Sequence, residues 1–393
     1  MVASREGTRS TICDNYLAAR AAGNILARNQ QPPAVPRIES FARVGEGQVR
    51  ASPLMPLPDV LGELGFDPQV LFTEAAFDAG LLRDPESTIP FGRAGALLAH
   101  CIERTGRPDL SLLMAQRCDA STLGIVGLLL RHSPDIGTAW RTAIERLHLH
   151  DRGAVITLQT SGAFAMLDYN IYQRDIPGAG QIYLLALGIA QRIMQGLCGP
   201  QWHATEVHLP VRRPRSEAPF RRFFGAPLRF NAERATLVFP AEVLGCRIPG
   251  ADPAVHKAVA ALAAALETEG ARDVGTSVRR ALRSMLASGR ASEAGVAAAF
   301  AMHRRTLNRR LRGEGTTFRR LLEETRFDFA RQLLRDTDAA VDVIASGLGY
   351  SGATAFGRAF KRWSGQAPQA WRVSRAAGAE ARAARSPRRA RGT

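Results

Sequence analysis

The stretch LGYSGATAFGRAFKRWSGQAP, Leu348–Pro368, decides the reading of the C-terminal third of this chain. A Gly-Tyr turn is followed by a segment in which Phe356 and Phe360 stand four residues apart. That spacing gathers the aromatic rings on one face of a helix and leaves Arg358, Lys361 and Arg362 on the other. Gly365 is placed to stop the helix and Pro368 to prevent its continuation. Immediately upstream, "AAVDVIASG" carries its own helical pattern. The whole reads as helix, glycine turn, second helix, with Ser351 as the N-cap of the second.

The same arrangement occurs once more upstream. "SEAGVAAAFAMHRRTLNRRL", Ser292–Leu311, divides into two short helical patterns separated by about three residues, with Ser292 capping the first. In the second pattern Leu307 and Leu311 share one side. Arg304, Arg305, Asn308, Arg309 and Arg312 share the other, at the i, i+1, i+4, i+5, i+8 spacing of a single helix face. Arginine can pair bidentately with guanine O6 and N7, and asparagine with adenine, so these side chains suit a major groove. One such helix reads equally well as a solvated arginine face, and it is the recurrence that favours nucleic acid. Between the two units, "TFRRLLEETRFDFARQLLR", Thr317–Arg335, places Phe318, Leu321, Leu322, Phe329, Leu333 and Leu334 at helical spacing. Nineteen residues at about 1.5 Å each span roughly 28 Å. That length can set two reading helices in successive major grooves, since one duplex turn is about 34 Å.

Charge follows the same division. The formal net charge is +16 over 393 residues; residues 276–393 hold 24 Lys and Arg against 9 Asp and Glu, and residues 1–275 hold 28 against 27. A basic module attached to a near-neutral one predicts a polyanion-binding domain joined to a domain of another kind. The composition, 46% hydrophobic and 22% charged, is globular. No run of about eighteen uncharged apolar residues or signal-type segment occurs, which predicts a soluble cytoplasmic protein without a membrane partner. Cys13, Cys101, Cys118, Cys198 and Cys246 show no Cys-x-x-Cys spacing and are expected to be reduced, structural thiols.

Residues 1–45, containing "RNQQPPAVPR", lack periodicity and are expected to form a poorly ordered extension. An α+β domain is expected over residues 46–252. "LPDVLGELGF" and "PFGRAGALLAHCIERTG" read as helices. "HLHDRGAVITLQTSGAFAMLDYNIY" reads as two or three strands, and "GQIYLLALGIAQRIMQGLCG" as a helix ended by glycine. "ATEVHLPV" and "LRFNAERATLVFP" read as strands flanking the basic, aromatic "PFRRFFGAP". A connecting helix at 253–274 leads to the all-α double helix-turn-helix domain at 275–373. A basic, disordered tail at 374–393 completes the chain.

On these motifs residues 275–373 resemble the DNA-binding domain of AraC/XylS-family transcriptional regulators. "VIASGLGYSGATAFGRAFKRWSGQAP" carries that family's Gly-Tyr turn, Phe356, Arg358, Phe360, Lys361, Gly365 and Pro368. "RRTLNRRLRGEGTTFRRLLEETRFDFARQLL" is similar to its first recognition helix and linker. The resemblance implies base or phosphate contacts from Arg304, Arg305, Asn308 and Arg309 in the first reading helix, with Arg312 on the same face. In the second it implies contacts from Ala353, Thr354 and Arg358, beside Ser351, Lys361 and Arg362. Two positions depart from the family pattern. His303 stands where the first recognition helix usually has a serine cap, and Gly352 and Ala353 replace polar side chains. The first helix is therefore expected to supply more of the base discrimination, and the second mainly phosphate contacts.

Upstream, "FRRFFGAPLRFNAERATLVFPAEVLGCRIPGADP", Phe220–Pro253, resembles the arabinose-binding-type N-terminal domain of one branch of the family. This implies a domain that senses a small-molecule effector and forms a homodimer, in a regulator that binds double-stranded promoter DNA and meets RNA polymerase. The alternative is a regulator without effector, whose N-terminal domain only dimerises or contacts a protein. No catalytic or metal site and no cofactor is expected. His148, His150, His203 and His208 could converge only if their strands pair, and half-exposed strand histidines are the commoner case. Ordinary strand core is likewise the favoured reading of Phe164, Tyr169 and Tyr172 over a pocket lining, and packing that of Arg221, Arg222, Phe223 and Phe224 over an acidic-ligand site. No Gly-x-Ser-x-Gly or Walker spacing is present.

Overall fold

The computed structural model describes residues 44–173, 176–268, 274–287, 291–299, 302–337 and 339–374. The expected extension and tail thus lie almost wholly outside the described residues. The N-terminal part is mixed α+β. Short strands β1 (Gln48–Arg50) and β2 (Thr88–Pro90) pair antiparallel around helices α1 (Leu57–Glu63) and α2 (Pro68–Glu74). Helices α3 (Phe91–Thr105), α4 (Leu110–Ala115), α5 (Ile125–Arg131) and α6 (Ile136–Arg146) follow and lead to the main sheet.

That sheet has five strands in the order β3-β4-β7-β5-β6: β3 (Ala154–Ser161), β4 (Phe164–Ile171), β5 (Glu206–Leu209), β6 (Leu228–Phe230) and β7 (Ala235–Pro240). All neighbours are antiparallel except β5 and β6, which run parallel around α8 (Ala218–Phe224). The long helix α7 (Ala179–Cys198) packs on the sheet and ends at Gly199, as its sequence predicts. The four-residue β3–β4 turn is possible because Gly162 takes a left-handed φ of 58°.

Both faces of β3 and β4 are used. The side chains of Ala165, Leu167, Tyr169 and Ile171, with Ala154, Ile156 and Leu158 across the ladder, enter the N-terminal core. On the opposite face Val155 and Tyr172 join the aromatic core of the C-terminal helices. Polar residues are buried on that face too. Asp168 accepts hydrogen bonds from Thr157 Oγ1 at 3.1 Å and Thr236 Oγ1 at 2.5 Å, its direct neighbours in the register on either side. Burial raises the Asp168 carboxyl above its ordinary range, and the two hydroxyls oppose the shift.

The connecting helix is α9 (Pro253–Thr268), with Val259 and Ala263 buried in the N-terminal core. Beyond it lie α10 (Val274–Ala287), α11 (Glu293–Ala299), α12 (Arg304–Gly313), α13 (Phe318–Asp336), α14 (Val341–Gly347) and α15 (Ala353–Ser364). The C-terminal region is thus mostly α-helical, with helices over both stretches whose spacing predicts them and over the linker α13. Thr317 caps α13, accepting from the Arg320 amide at 3.2 Å. The aromatic face of the opening stretch packs as expected. Phe356 and Phe360 are fully buried, and Phe327, Tyr350, Trp363 and Trp371 make edge or tilted ring contacts around them. Gly365 closes α15 in the left-handed conformation, its amide donating to Lys361 O.

Among the described residues no helix is long and apolar enough to cross a membrane. Cys101 and Cys118 are buried free thiols and Cys198 a half-buried one. Burial pushes Cys101 and Cys198 up to about 12 and Cys118 to about 11, so these three are inert. Cys13 lies outside the described residues.

Candidate nucleic-acid interface and interior cavity

Helix α12 buries Leu307 and Leu311 and turns its arginines outward. Arg305, Arg309, Arg310 and Arg312 are exposed. Arg304 and Asn308, at the margin of that face, are held by Glu293 of the preceding helix. Arg304 Nη2 donates to Glu293 Oε2 at 3.0 Å and Asn308 Nδ2 to Glu293 Oε1 at 2.6 Å. Arg304 first, then Asn308, lowers the Glu293 carboxyl below its usual range. Among the described residues, the five singled out on α12 thus divide into three cations without a partner and two side chains committed to a neighbour. Glu293 was not singled out by the spacing, because it sits on another helix. Arg310 was passed over although it adjoins Arg309 in the sequence.

Two caps differ from expectation. His303 does cap α12, its Nδ1 accepting from the Arg305 amide at 3.3 Å, so the departure from serine leaves that amide satisfied. Ser351 is not the cap of α15: the helix starts one residue later, Gly352 occupies the cap position, and no side chain accepts there. The physical reason is the Gly349–Tyr350 turn. Gly349 takes φ 74° and Tyr350 folds back to bond Ala345 O, which carries the chain one residue further before helical geometry resumes. Ser351, Ala353, Thr354, Arg358, Lys361 and Arg362 are all exposed, with Arg362 Nη2 3.6 Å from Glu323 of the linker helix. Ser292 caps α11 as expected, accepting from the Gly295 amide at 3.1 Å.

The N-terminal part forms a cavity of about 90 Å³ between the inner sheet face and helices α3, α6 and α7. Most of its wall is apolar, including Phe91, Leu98, Trp140, Leu167, Leu185 and Ile193. One end is polar, formed by Arg50 of β1, His150 and Asp151 after α6, and Tyr169 of β4. Asp151 Oδ1 accepts the amides of Gly153 and Ala154 at 2.7 and 3.0 Å, and its Oδ2 accepts the Tyr169 hydroxyl at 2.7 Å. Burial nonetheless raises the Asp151 carboxyl to about 6. Arg50 donates to Leu149 O and Glu86 O and pairs with the Glu86 carboxylate. Burial pushes both partners towards their neutral forms, and their attraction opposes it. His150 is 3% exposed, and burial followed by the Arg50 charge lowers its imidazole to about 3.

Tyr169 is thus a cavity residue, against the expectation of ordinary strand core, while Phe164 is exposed at the hairpin and Tyr172 lies between domains. His150 is buried in this wall rather than half-exposed on a strand, and His148 pairs with Glu267 of α9 at 3.2 Å. No group of three or more metal-type side chains forms among the described residues. In the "PFRRFFGAP" segment Phe220 and Phe224 are buried and Arg221 pairs with Glu217, as packing predicts.

The two regions meet across the outer sheet face. The Arg283 guanidinium lies 3.3 Å from the centre of the Tyr172 ring and pairs with Glu46 at 2.7 Å. Gln332 of the linker helix donates to the Tyr183 hydroxyl at 2.5 Å, and Tyr183 contacts Tyr169 edge to face at 6.3 Å. A chain of three side chains therefore runs from the cavity to the linker helix.

Residues 65–248 match the profile of the arabinose-binding domain of AraC transcription regulators, N-terminal, and residues 296–374 that of a helix-turn-helix domain. The chain is 25% identical over 330 residues to the HTH-type transcriptional regulator VirS of Mycobacterium tuberculosis, covering 83% of this chain and 96% of that protein. It is 26% identical over 325 residues to the ornithine utilization regulator of Pseudomonas aeruginosa, covering 80% and 94%. Among solved structures, the transcriptional regulator CdpR from Pseudomonas aeruginosa aligns with 88% of this chain and 100% of that one, at 22% identity and a TM-score of 0.42.

Proposed function

This chain belongs to the AraC/XylS family of transcriptional regulators, and on that premise we propose that its DNA binding is sequence-specific and is controlled by a small-molecule effector held in the N-terminal cavity. The protein is a DNA-binding regulator and not an enzyme. On this reading Arg305, Arg309 and Arg312 reach base edges or phosphates directly, while Arg304 and Asn308 exchange Glu293 for DNA on binding. The exposed groups of α15, Ser351, Thr354, Arg358, Lys361 and Arg362, with the small Ala353, contribute mainly phosphate contacts.

The observation that carries effector control is the largely apolar cavity, whose wall residue Tyr169 connects through Tyr183 to Gln332 of the linker helix. A pre-formed apolar pocket with few convergent polar groups favours a ligand site over a purely dimerising domain. An effector that displaces Tyr169 stabilises one arrangement of the linker helix over another, and so shifts promoter affinity by its unequal affinity for the two. The family resemblance adds homodimerisation, contact with RNA polymerase at the promoter and a cytoplasmic location to the same reading.

The test is a footprint of the purified protein on DNA flanking its own gene, at physiological salt with nonspecific competitor. Protection of two adjacent major-groove segments per chain is expected. Salt-sensitive coating without a discrete site would remove sequence specificity from the proposal.

A further inference from the structure

We propose that Glu293 is a specificity-determining residue of the reading helix: its carboxylate competes with DNA for Arg304 and Asn308, and so makes the protein tolerant of changes at the base positions those two side chains meet. This deepens the DNA-binding reading above and rests on it. Glu293 lies in the first turn of α11 and is partly exposed. Each of its oxygens is taken by one side chain of α12, Oε2 by Arg304 Nη2 at 3.0 Å and Oε1 by Asn308 Nδ2 at 2.6 Å. Arg304 and Asn308 stand one helical turn apart, so a single carboxylate spans both. An ionised carboxylate only accepts hydrogen bonds, and the purine N7 and guanine O6 of a major-groove edge accept them too. Glu293 therefore offers these two donors the same kind of partner as a base. Arg304 first, then Asn308, holds its carboxyl below the usual range, which keeps it ionised and competing at neutral pH. Arg305, Arg309 and Arg312 have no such competitor among the described residues.

The consequence for specificity has a definite sign. On a matched site both side chains leave Glu293 for the bases, and the gain is reduced by the contact given up. On a mismatched site they stay with Glu293, and no donor is stranded in the interface. The usual penalty of a wrong partner, an unpaired polar group, is thereby softened. Without the carboxylate the matched complex gives up nothing, and the mismatched one leaves both side chains unpaired. Removing Glu293 therefore sharpens discrimination, whereas removing a residue that merely held the two side chains in place would blunt it.

The probe is the duplex that the full-length wild-type protein enriches from a random-sequence pool, together with its single-base variants and an unrelated duplex of equal length. Affinities are measured by fluorescence anisotropy at fixed salt for wild type, Glu293→Ala and Glu293→Gln. Glu293→Ala is measured again in a protein already carrying Arg304→Ala and Asn308→Ala. Loss of one acidic charge raises the affinity for all DNA alike, so the ratios carry the result. In Glu293→Ala the preference for the enriched over the unrelated duplex is expected to rise about two- to ten-fold, the range of a partly exposed charged contact. The rise is expected to be confined to one or two base positions and to vanish in the Arg304→Ala, Asn308→Ala background. Glu293→Gln keeps the side-chain length and one acceptor, and is expected to move the ratio in the same direction by less. An unchanged ratio in Glu293→Ala would reduce Glu293 to simple repulsion of the polyanion. A lowered ratio would make it a support for the two side chains, and a rise that survives in the background would detach it from them. Each of these three outcomes overturns the proposal alone, whereas a wild type that enriches no duplex overturns the sequence-specific reading and this inference with it.

Discussion

Replacing Arg305 by alanine distinguishes base reading from simple attraction to the phosphate backbone. Arg305 lies in the first turn of α12 and is exposed, with its amide engaged by the His303 cap and its guanidinium unencumbered by any described residue. All its donors are therefore available to a guanine edge. Loss of one bidentate pair costs about 1–3 kcal/mol at one base position, or roughly five- to 150-fold in affinity for the cognate sequence. Arg304 supplies the internal comparison. Its guanidinium already donates to Glu293 at 3.0 Å, so DNA binding exchanges one acceptor for another and Arg304→Ala is expected to weaken cognate binding less than Arg305→Ala. The assay is competition between the footprinted operator and single-base variants, repeated at roughly 50 and 200 mM salt. Arg305→Ala is expected to flatten discrimination at one position and leave the others intact. Uniform weakening across all variants, with the salt slope reduced by about 0.9, would place Arg305 on a phosphate and refute the assignment.

The cavity wall makes two opposed pH predictions. His150 is lowered to about 3, so the unfolded chain protonates first; its contribution to stability is present above about pH 6.5 and lost on acidification towards 3. Asp151 is raised to about 6, so the native state takes up the proton first and acidification below 6 recovers stability. Between pH 7 and 5 the wild type is expected to lose about 2 kcal/mol through His150 and regain about 1 through Asp151. In urea titrations His150→Phe should therefore be relatively more stable at pH 5 than at 7, and Asp151→Asn should lose more than wild type; the same sign for both would contradict the burial argument. Tyr183→Phe removes the acceptor of the Gln332 amide in a buried contact and is expected to cost about 1–3 kcal/mol, with earlier thermal release of the C-terminal helices. An unchanged profile would show that this contact does not couple the domains.

The C-terminal half was legible because its determinants are local. Leu307 with Leu311, and Phe356 with Phe360, declare buried faces within a single helix, and the glycine turns lie inside a few residues of them. The cavity was illegible for the opposite reason. Its polar end joins Arg50, His150 and Tyr169, of which the first and last are 119 residues apart, on a strand of only three residues, a loop and a longer strand. Nothing in the spacing around His150 marks it as buried, and Tyr169 in an alternating strand reads as core until the elements that face it are known. Glu293 was invisible as a partner of Arg304 and Asn308 because its position depends on the angle between α11 and α12. The start of α15 was displaced from Ser351 by the turn before it, a matter of backbone dihedrals rather than residue preference.

Alternation along β4 has a consequence for how this protein can change. Leu167 and Tyr169 line the cavity and Ile171 lies in the same core, while Asp168 and Asn170, with Tyr172 just beyond the strand, are buried on the opposite face. Odd and even positions are therefore separate dials on one strand. Substitution at the odd positions can retune which molecule is admitted while the contact with the reading head is kept, and the even positions can set how firmly that head is held. A single residue inserted into β4 would exchange the two sets, turning Tyr169 outward and a carboxylate into the pocket, so lineages derived from this chain should vary at these positions by replacement and not by insertion.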